Sequence, residues 1–240
     1  MGDLHLRNCS HIHNTYSYVH TNTPRRQTSV IKPNTRICVT NTPLEPIAAY
    51  SLCNVAQLQQ SSRIFDPYCG SAATLLAASL IAPDCDTVGV EISHMGIVNR
   101  DDIREDFRTR NLKLPRALIY GDSTNSTIRD EARAAIGNRP FTTIVTDPPY
   151  GIRESSRQNE KTPLENMFDY IAADRDAGKR LLEVGGRLVA FVPVTEEESL
   201  SRNLPSKELA EHAGLEYQLA REQQLNEKLS RWLVSYKCVR

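Results

Sequence analysis

From residue 63 onward, short apolar runs alternate with helix-length segments, and this alternation leaves few folds open. Strand-like runs fall at residues 63–66, 87–92, 117–120, 142–146 and 187–194. Helical patterns fill the intervals at 71–81, 93–110, 127–136 and 164–183, with a short one at 206–213. Strands that alternate with helices in this way predict a parallel, doubly wound α/β sheet covered on both faces. The last two runs, 215–221 and 232–238, follow one another with no helix between them. They predict an antiparallel hairpin at one edge of an otherwise mostly parallel sheet. Ahead of the alternation, Pro43-Leu44-Glu45-Pro46 leads into IAAYSLCNVAQL. Thr42 as N-cap, Pro43 at the first helical position and Glu45 completing a capping box predict a helix there.

Residues 1–33 differ in kind. They are polar, lack apolar periodicity, and read as a flexible N-terminal arm, with the folded domain expected over 34–240. Cys9, His11, His13 and His20 lie in this arm, but their spacing matches no zinc pattern, so no metal site is expected. The six cysteines at 9, 38, 53, 69, 85 and 238 form no CxxC pair and read as reduced, mostly buried thiols. With 29 basic and 29 acidic side chains the chain is neutral, which argues against coating nucleic acid by bulk attraction. The charge is uneven, however. Residues 1–40 hold five basic and one acidic side chain, and residues 218–240 five basic and two acidic. Basic ends are compatible with a nucleic-acid footprint, or with an ordinary solvated surface. No run approaches ~18 apolar residues, and the first twenty lack the apolar core of a secretory signal, so a cytoplasmic location is expected.

Four segments at predicted strand ends can carry chemistry. Asp66-Pro67-Tyr68-Cys69-Gly70-Ser71-Ala72-Ala73 follows a strand and opens a helix. Small residues there let the backbone approach a ligand, although an ordinary strand-turn-helix connection reads the same way. Glu91 ends the next strand about twenty residues on, where a carboxylate can accept hydrogen bonds from both hydroxyls of a ribose. Gly121-Asp122-Ser123 ends a third strand; Asp122 suits either an adenine amino group or a helix N-cap.

The fourth, Asp147-Pro148-Pro149-Tyr150-Gly151, is the most specific. A DPPY tetrapeptide should arise by chance in a chain this long on the order of once in a thousand cases, so it counts as a signal. Its two prolines stiffen the backbone and remove two donors, leaving carbonyls to point outward. Asp147 and the Pro148 carbonyl can then accept the two hydrogens of an exocyclic amine, and Tyr150 offers a ring face on which a base stacks.

Together these segments resemble the class I S-adenosylmethionine-dependent methyltransferases that modify amino groups, whose fold is a Rossmann-like sheet. The likeness sharpens in NTPLEP (41–46), TDPPYGIRE (146–154), GGRLVAFVPV (185–194) and SRWLVSYKC (230–238). These resemble the catalytic domain of the eukaryotic tRNA (guanine(10)-N2)-methyltransferases. That resemblance implies S-adenosylmethionine as cofactor, bound by Thr42, Asp66, Tyr68, Gly70, Ser71, Ala72, Glu91, Ile92, Asp122 and Ser123. It implies catalysis by Asp147, Pro148, Pro149 and Tyr150, and a tRNA substrate held by Tyr150, Gly151 and Arg153. It further implies a small zinc-binding activator subunit as partner. Two departures stand out. Ala72 occupies a loop position where the family carries more glycine, and alanine disfavours a positive φ. The family's THUMP domain has no counterpart, the 33-residue arm being too short for one. Two other functions fit the same residues: a DNA or rRNA amino-methyltransferase of the DPPY kind, and a non-catalytic subunit that kept the fold.

Overall fold

Seven strands form one sheet in the order β3-β2-β1-β4-β5-β7-β6. The computed structural model describes residues 29–92, 98–150 and 161–240. The strands are β1 (Arg63–Asp66), β2 (Asp86–Glu91), β3 (Ala117–Tyr120), β4 (Phe141–Thr146), β5 (Leu182–Thr195), β6 (Leu215–Asn226) and β7 (Leu229–Cys238). The first five pair in parallel, with Ile64 opposite Thr87 on one side and Thr143 on the other. Strand β7 runs antiparallel between β5 and β6. The mostly parallel sheet with its C-terminal hairpin is the expected one.

The helices are α1 (Pro46–Val55), α2 (Ala73–Ile81), α3 (Arg100–Arg108), α4 (Ser126–Ala134), α5 (Pro163–Asp176), α6 (Leu200–Asn203) and α7 (Lys207–Ala213). Successive strand residues point to opposite faces, so each strand feeds two cores. Ile64, Val145 and Val189 pack with α1, α2 and α3 through Leu52, Leu75 and Phe107. Phe65, Ile144 and Leu188 pack on the other face with Ala132 of α4 and with Met167 and Phe168 of α5. Helix α2 is buried from Ala73 to Ser79, which explains a segment that is apolar nearly all round. All five described cysteines, at 38, 53, 69, 85 and 238, are buried free thiols.

Three expectations need correction. Helix α1 starts at Pro46, not at Pro43, and Glu45 is its N-cap with no side-chain capping bond. Pro46 forces the residue before it out of the helical region, and Glu45 is accordingly extended, with φ −62° and ψ 142°. Thr42 therefore caps nothing. Helix α5 ends at Asp176, well short of residue 183, because Gly178 takes a φ of +71° and β5 begins at Leu182. Its start is set by a true capping box between Thr162 and Glu165. Finally, packing begins inside the stretch read as an arm: Ile31 is buried, and Arg110 Nε donates to the Val30 carbonyl. Cys9, His11, His13 and His20 lie outside the described residues.

Candidate active site

The chain turns from β1 to β2 on one side of the sheet, while β4 flanks β1 on the other. A sheet opens a crevice at the carboxyl ends of strands that part in this way. Asp66 closes β1 there and Asp147 follows β4 directly. Asp66 is buried. Its carboxylate accepts from Thr146 Oγ1 at 2.7 Å and from the Tyr68 amide at 3.1 Å, and it also accepts from Thr74 Oγ1. Burial pushes its carboxyl up to about 6, against these three donors. Asp66 thus ties the loop to the sheet from beneath.

The loop itself is held by its own amides. Cys69 N donates to Val90 O at 2.8 Å and Gly70 N to Glu91 Oε2 at 3.0 Å. Gly70 takes a φ of +48°, and a side chain built on it would meet nothing within 4 Å, so the crevice is open above it. Ala72, fully buried, takes a φ of 63° and a ψ of 33° at the N-terminus of α2. The loop keeps its left-handed turn with alanine, at a steric cost of about 1–2 kcal/mol. Gly89, in mid-strand, is needed for packing: a Cβ there would lie 2.7 Å from Cys69 Sγ.

A buried cluster holds the loop's far side. Arg36 Nη2 donates to the Ser71 carbonyl. Asp106, fully buried, accepts from the amides of Ile37 at 2.9 Å and Cys38 at 3.0 Å, and pairs with Arg110 at 2.9 Å and Arg36 at 3.8 Å. Burial lowers the Arg36 pKa, and Asp106 opposes that fall.

At the end of β3, Asp122 is exposed and accepts from the Thr124 amide at 2.8 Å. The N-cap of α4 is Asn125, so the capping alternative for Asp122 does not hold. Arg129 fixes this turn by donating to the Ser123 and Thr124 carbonyls at 2.9 and 2.7 Å while gripping Asp174 with two bonds at 2.7 and 2.8 Å. Ser123 is buried. Tyr68 is half-buried, its phenol pushed up first by burial and further by Asp122. Ile92 is 65% exposed, and Thr42 is exposed too, in a bend.

Beyond β4, the Tyr150 hydroxyl donates to Asp147 Oδ1 at 2.9 Å. Burial pushes the Asp147 carboxyl up to about 6, against the pull of that hydroxyl and of Arg231. Burial and the neighbouring Asp147 hold the Tyr150 phenol far above its usual range. Pro148 is buried and Pro149 exposed. Sequence reasoning gave Tyr150 a role through its ring face; the structure adds a bond through its hydroxyl. Gly151 and Arg153 lie outside the described residues. Arg36, Arg129 and Arg231 were not foreseen. A single arginine in a strand or loop carries no pattern, although Arg231 lies in the SRWLV segment that marked the family likeness.

A family profile described as the RMKL-like methyltransferase domain matches residues 33–211. The chain belongs to this RMKL-like methyltransferase family. Rat tRNA (guanine(10)-N(2))-methyltransferase is 26% identical over 196 residues, covering 69% of this chain and 41% of the relative. A tRNA (guanine(10)-N2)-dimethyltransferase of Methanothermobacter thermautotrophicus is 27% identical over 150 residues, covering 62% and 38%. The chain thus spans less than half the length of these relatives. Among solved structures, TrmN from Thermus thermophilus superposes with a TM-score of 0.55 at 21% identity, covering 82% of this chain and 50% of that one. The profile describes a methyltransferase domain, and one structure of the same fold, a geranyl diphosphate methyltransferase with a TM-score of 0.53 at 14% identity, was solved with sinefungin. The open space over Gly70, with carboxylates at the ends of β2 and β3, fits S-adenosylmethionine.

Proposed function

We propose that this chain is the catalytic part of an S-adenosylmethionine-dependent tRNA guanine N2-methyltransferase acting on guanosine 10. The observation that carries the reading is Asp147, a half-buried carboxylate at the end of β4, bonded to Tyr150 beside the β1–α2 loop. The names of the relatives support guanine in tRNA as the substrate.

In this reading the loop from Asp66 to Ala72 receives the methionine end of the cofactor, Glu91 its ribose and Asp122 its adenine. When bound, the cofactor supplies an electrophilic methyl group. Asp147 and the Pro148 carbonyl accept the two hydrogens of the guanine amino group, which aims the nitrogen lone pair. The gain is positioning and electrostatics. The carboxylate acts ionised, and the Tyr150 hydroxyl fixes its orientation. The base stacks against the Tyr150 ring, and Gly151 and Arg153 lie next in sequence to extend the contact.

The family resemblance also supports a small zinc-binding activator subunit, and the protein works in the cytoplasm. No helix of the described residues is long and apolar enough to cross a membrane. The test is methylation of unmodified tRNA, rRNA and duplex DNA, with nucleoside mass spectrometry of each, with and without an activator co-expressed. N2-methylguanosine in tRNA is the expected product. Methylated adenine or cytosine in DNA would move the substrate assignment. No product together with no cofactor binding would reduce the chain to a scaffold.

A further inference from the structure

Arg231 stands on β7 opposite Pro193 of β5, at the end of the sheet where Asp147 follows β4. Thr146 pairs with Ala190, so Phe191 comes level with Asp147 on the intervening strand. The Arg231 guanidinium lies over that ring, 4.5 Å from its centroid, and reaches from β7 toward the end of β4. Its side chain is only 6% exposed. Nε donates to Gln223 Oε1 at 2.8 Å, and Nη2 lies 3.7 Å from Glu45 Oε2, too far for a hydrogen bond to it.

A buried cation is costly unless a charge answers it. Glu45 is a poor answer, being 65% exposed, because solvent screens such pairs. The half-buried anion that feels this charge is Asp147. We propose that Arg231 is a positioning residue for this site, holding the Asp147–Tyr150 pair in place across the ring of Phe191.

Four titratable groups bear on the pair: Asp147 and Tyr150 themselves, Asp66 from β1 and Arg231 from β7. Asp66 repels a charge on Asp147, and the Tyr150 hydroxyl and Arg231 favour it. Arg231 is thus the one full positive charge among them. It would keep the acceptor ionised at neutral pH while the Tyr150 hydroxyl aims it. The inference rests on Asp147 being the amino-group acceptor.

The test compares Arg231→Met and Arg231→Lys with the parent chain by three measurements: cofactor titration, single-turnover methylation of unmodified tRNA against pH, and carbon-13 titration of the Asp147 carboxyl without substrate. The Met variant is expected to bind cofactor normally and to lose about 10–100-fold in single-turnover rate at pH 7. The Asp147 midpoint and the acid limb of the rate profile should rise together, by about one pH unit. The Lys variant keeps the charge without the planar fork, so it should hold the midpoint and recover part of the rate. A folded Met variant with the parental midpoint would overturn the proposal. If only the Lys variant folds, a midpoint displaced by a full unit despite its retained charge would overturn it too. Should the parent chain leave tRNA unmethylated, the substrate assignment falls, and the substrate-free titration still decides the role of Arg231.

Discussion

Thr146 Oγ1 donates to Asp66 Oδ1 at 2.7 Å, tying the last residue of β4 to the last residue of β1. The two strands that bear the loop and the DPPY segment are thereby fixed to each other at the crevice floor. A site spread over separate strand ends keeps its geometry only if such ties hold, since displacement of about 1 Å can cost 10²-fold in rate.

Asp147→Asn should separate activity from stability. Losing a charged acceptor in a shielded site is expected to lower single-turnover methylation by about 10²–10³. The carboxyl sits at about 6 in the folded chain against an ordinary 3.8, so the native state holds its proton more tightly. Its contribution to stability is complete below pH ~4 and is lost as pH rises through 6. Denaturant unfolding should therefore find the Asn variant more stable than the parent by about 1–3 kcal/mol at pH 7. At pH 4 that advantage should have gone. Equal stability at both pH values would contradict the raised carboxyl.

Tyr150 has two jobs to separate. Removing the ring in Tyr150→Ala should cost base stacking worth about 1–3 kcal/mol, seen mainly in substrate binding. Tyr150→Phe keeps the ring and removes the bond to Asp147. It should leave substrate affinity near the parental value and lower the single-turnover rate several-fold, about 1 kcal/mol for one hydrogen bond. Wild-type turnover in the Phe variant would confine this tyrosine to stacking.

Glu91→Ala removes a carboxylate that accepts the Gly70 amide and is assigned to the cofactor ribose. Calorimetric titration should show cofactor binding weakened by about 1.5–3 kcal/mol, the range for hydrogen bonds to a charged group. Unchanged affinity in a folded variant would remove Glu91 from the ribose site.

Ala72→Gly relieves a left-handed alanine worth about 1–2 kcal/mol and gives up a buried methyl worth about 0.8 kcal/mol. The net change in stability should lie between zero and a gain of about 1 kcal/mol, with cofactor affinity equal or tighter. Ala72→Val, a branched residue at a φ of 63°, should instead destabilise severely. Should the valine variant match the parent in thermal unfolding, the left-handed turn is not a constraint.

Much of the fold was legible because alternating burial writes itself into sequence: Ile64 and Phe65 enter opposite cores, as the period of a strand requires. Boundaries were less legible where two signals competed. Thr42-Pro43 offered a good helix start, but Pro46 overrode it through its effect on Glu45. Residue 183 looked helical because nothing apolar breaks before Leu181, while the stop comes from Gly178. In the site, Asp147 and Tyr150 could be found because their segment is rare, yet the bond between them depends on the loop's path. Asp66 was read as a cofactor residue, and the structure adds that its buried carboxylate braces the loop against β4. Arg36 and Arg231 were hidden for a common reason: each acts on residues far away in sequence, which no local spacing records.

The position of β7 has a consequence for synthesis. Strand β6 leaves the ribosome before its neighbour in the described sheet, because β7, made after it, is the strand that fits between β5 and β6. Until Leu229 onward emerges, the nascent chain presents β5 as a bare apolar edge, with Leu188, Ala190 and Val192 along it. Such an edge invites pairing with other chains. Translation that stalls just short of this point would yield a nearly complete sheet that is sticky, demands a chaperone, and lacks the arginine beside Asp147.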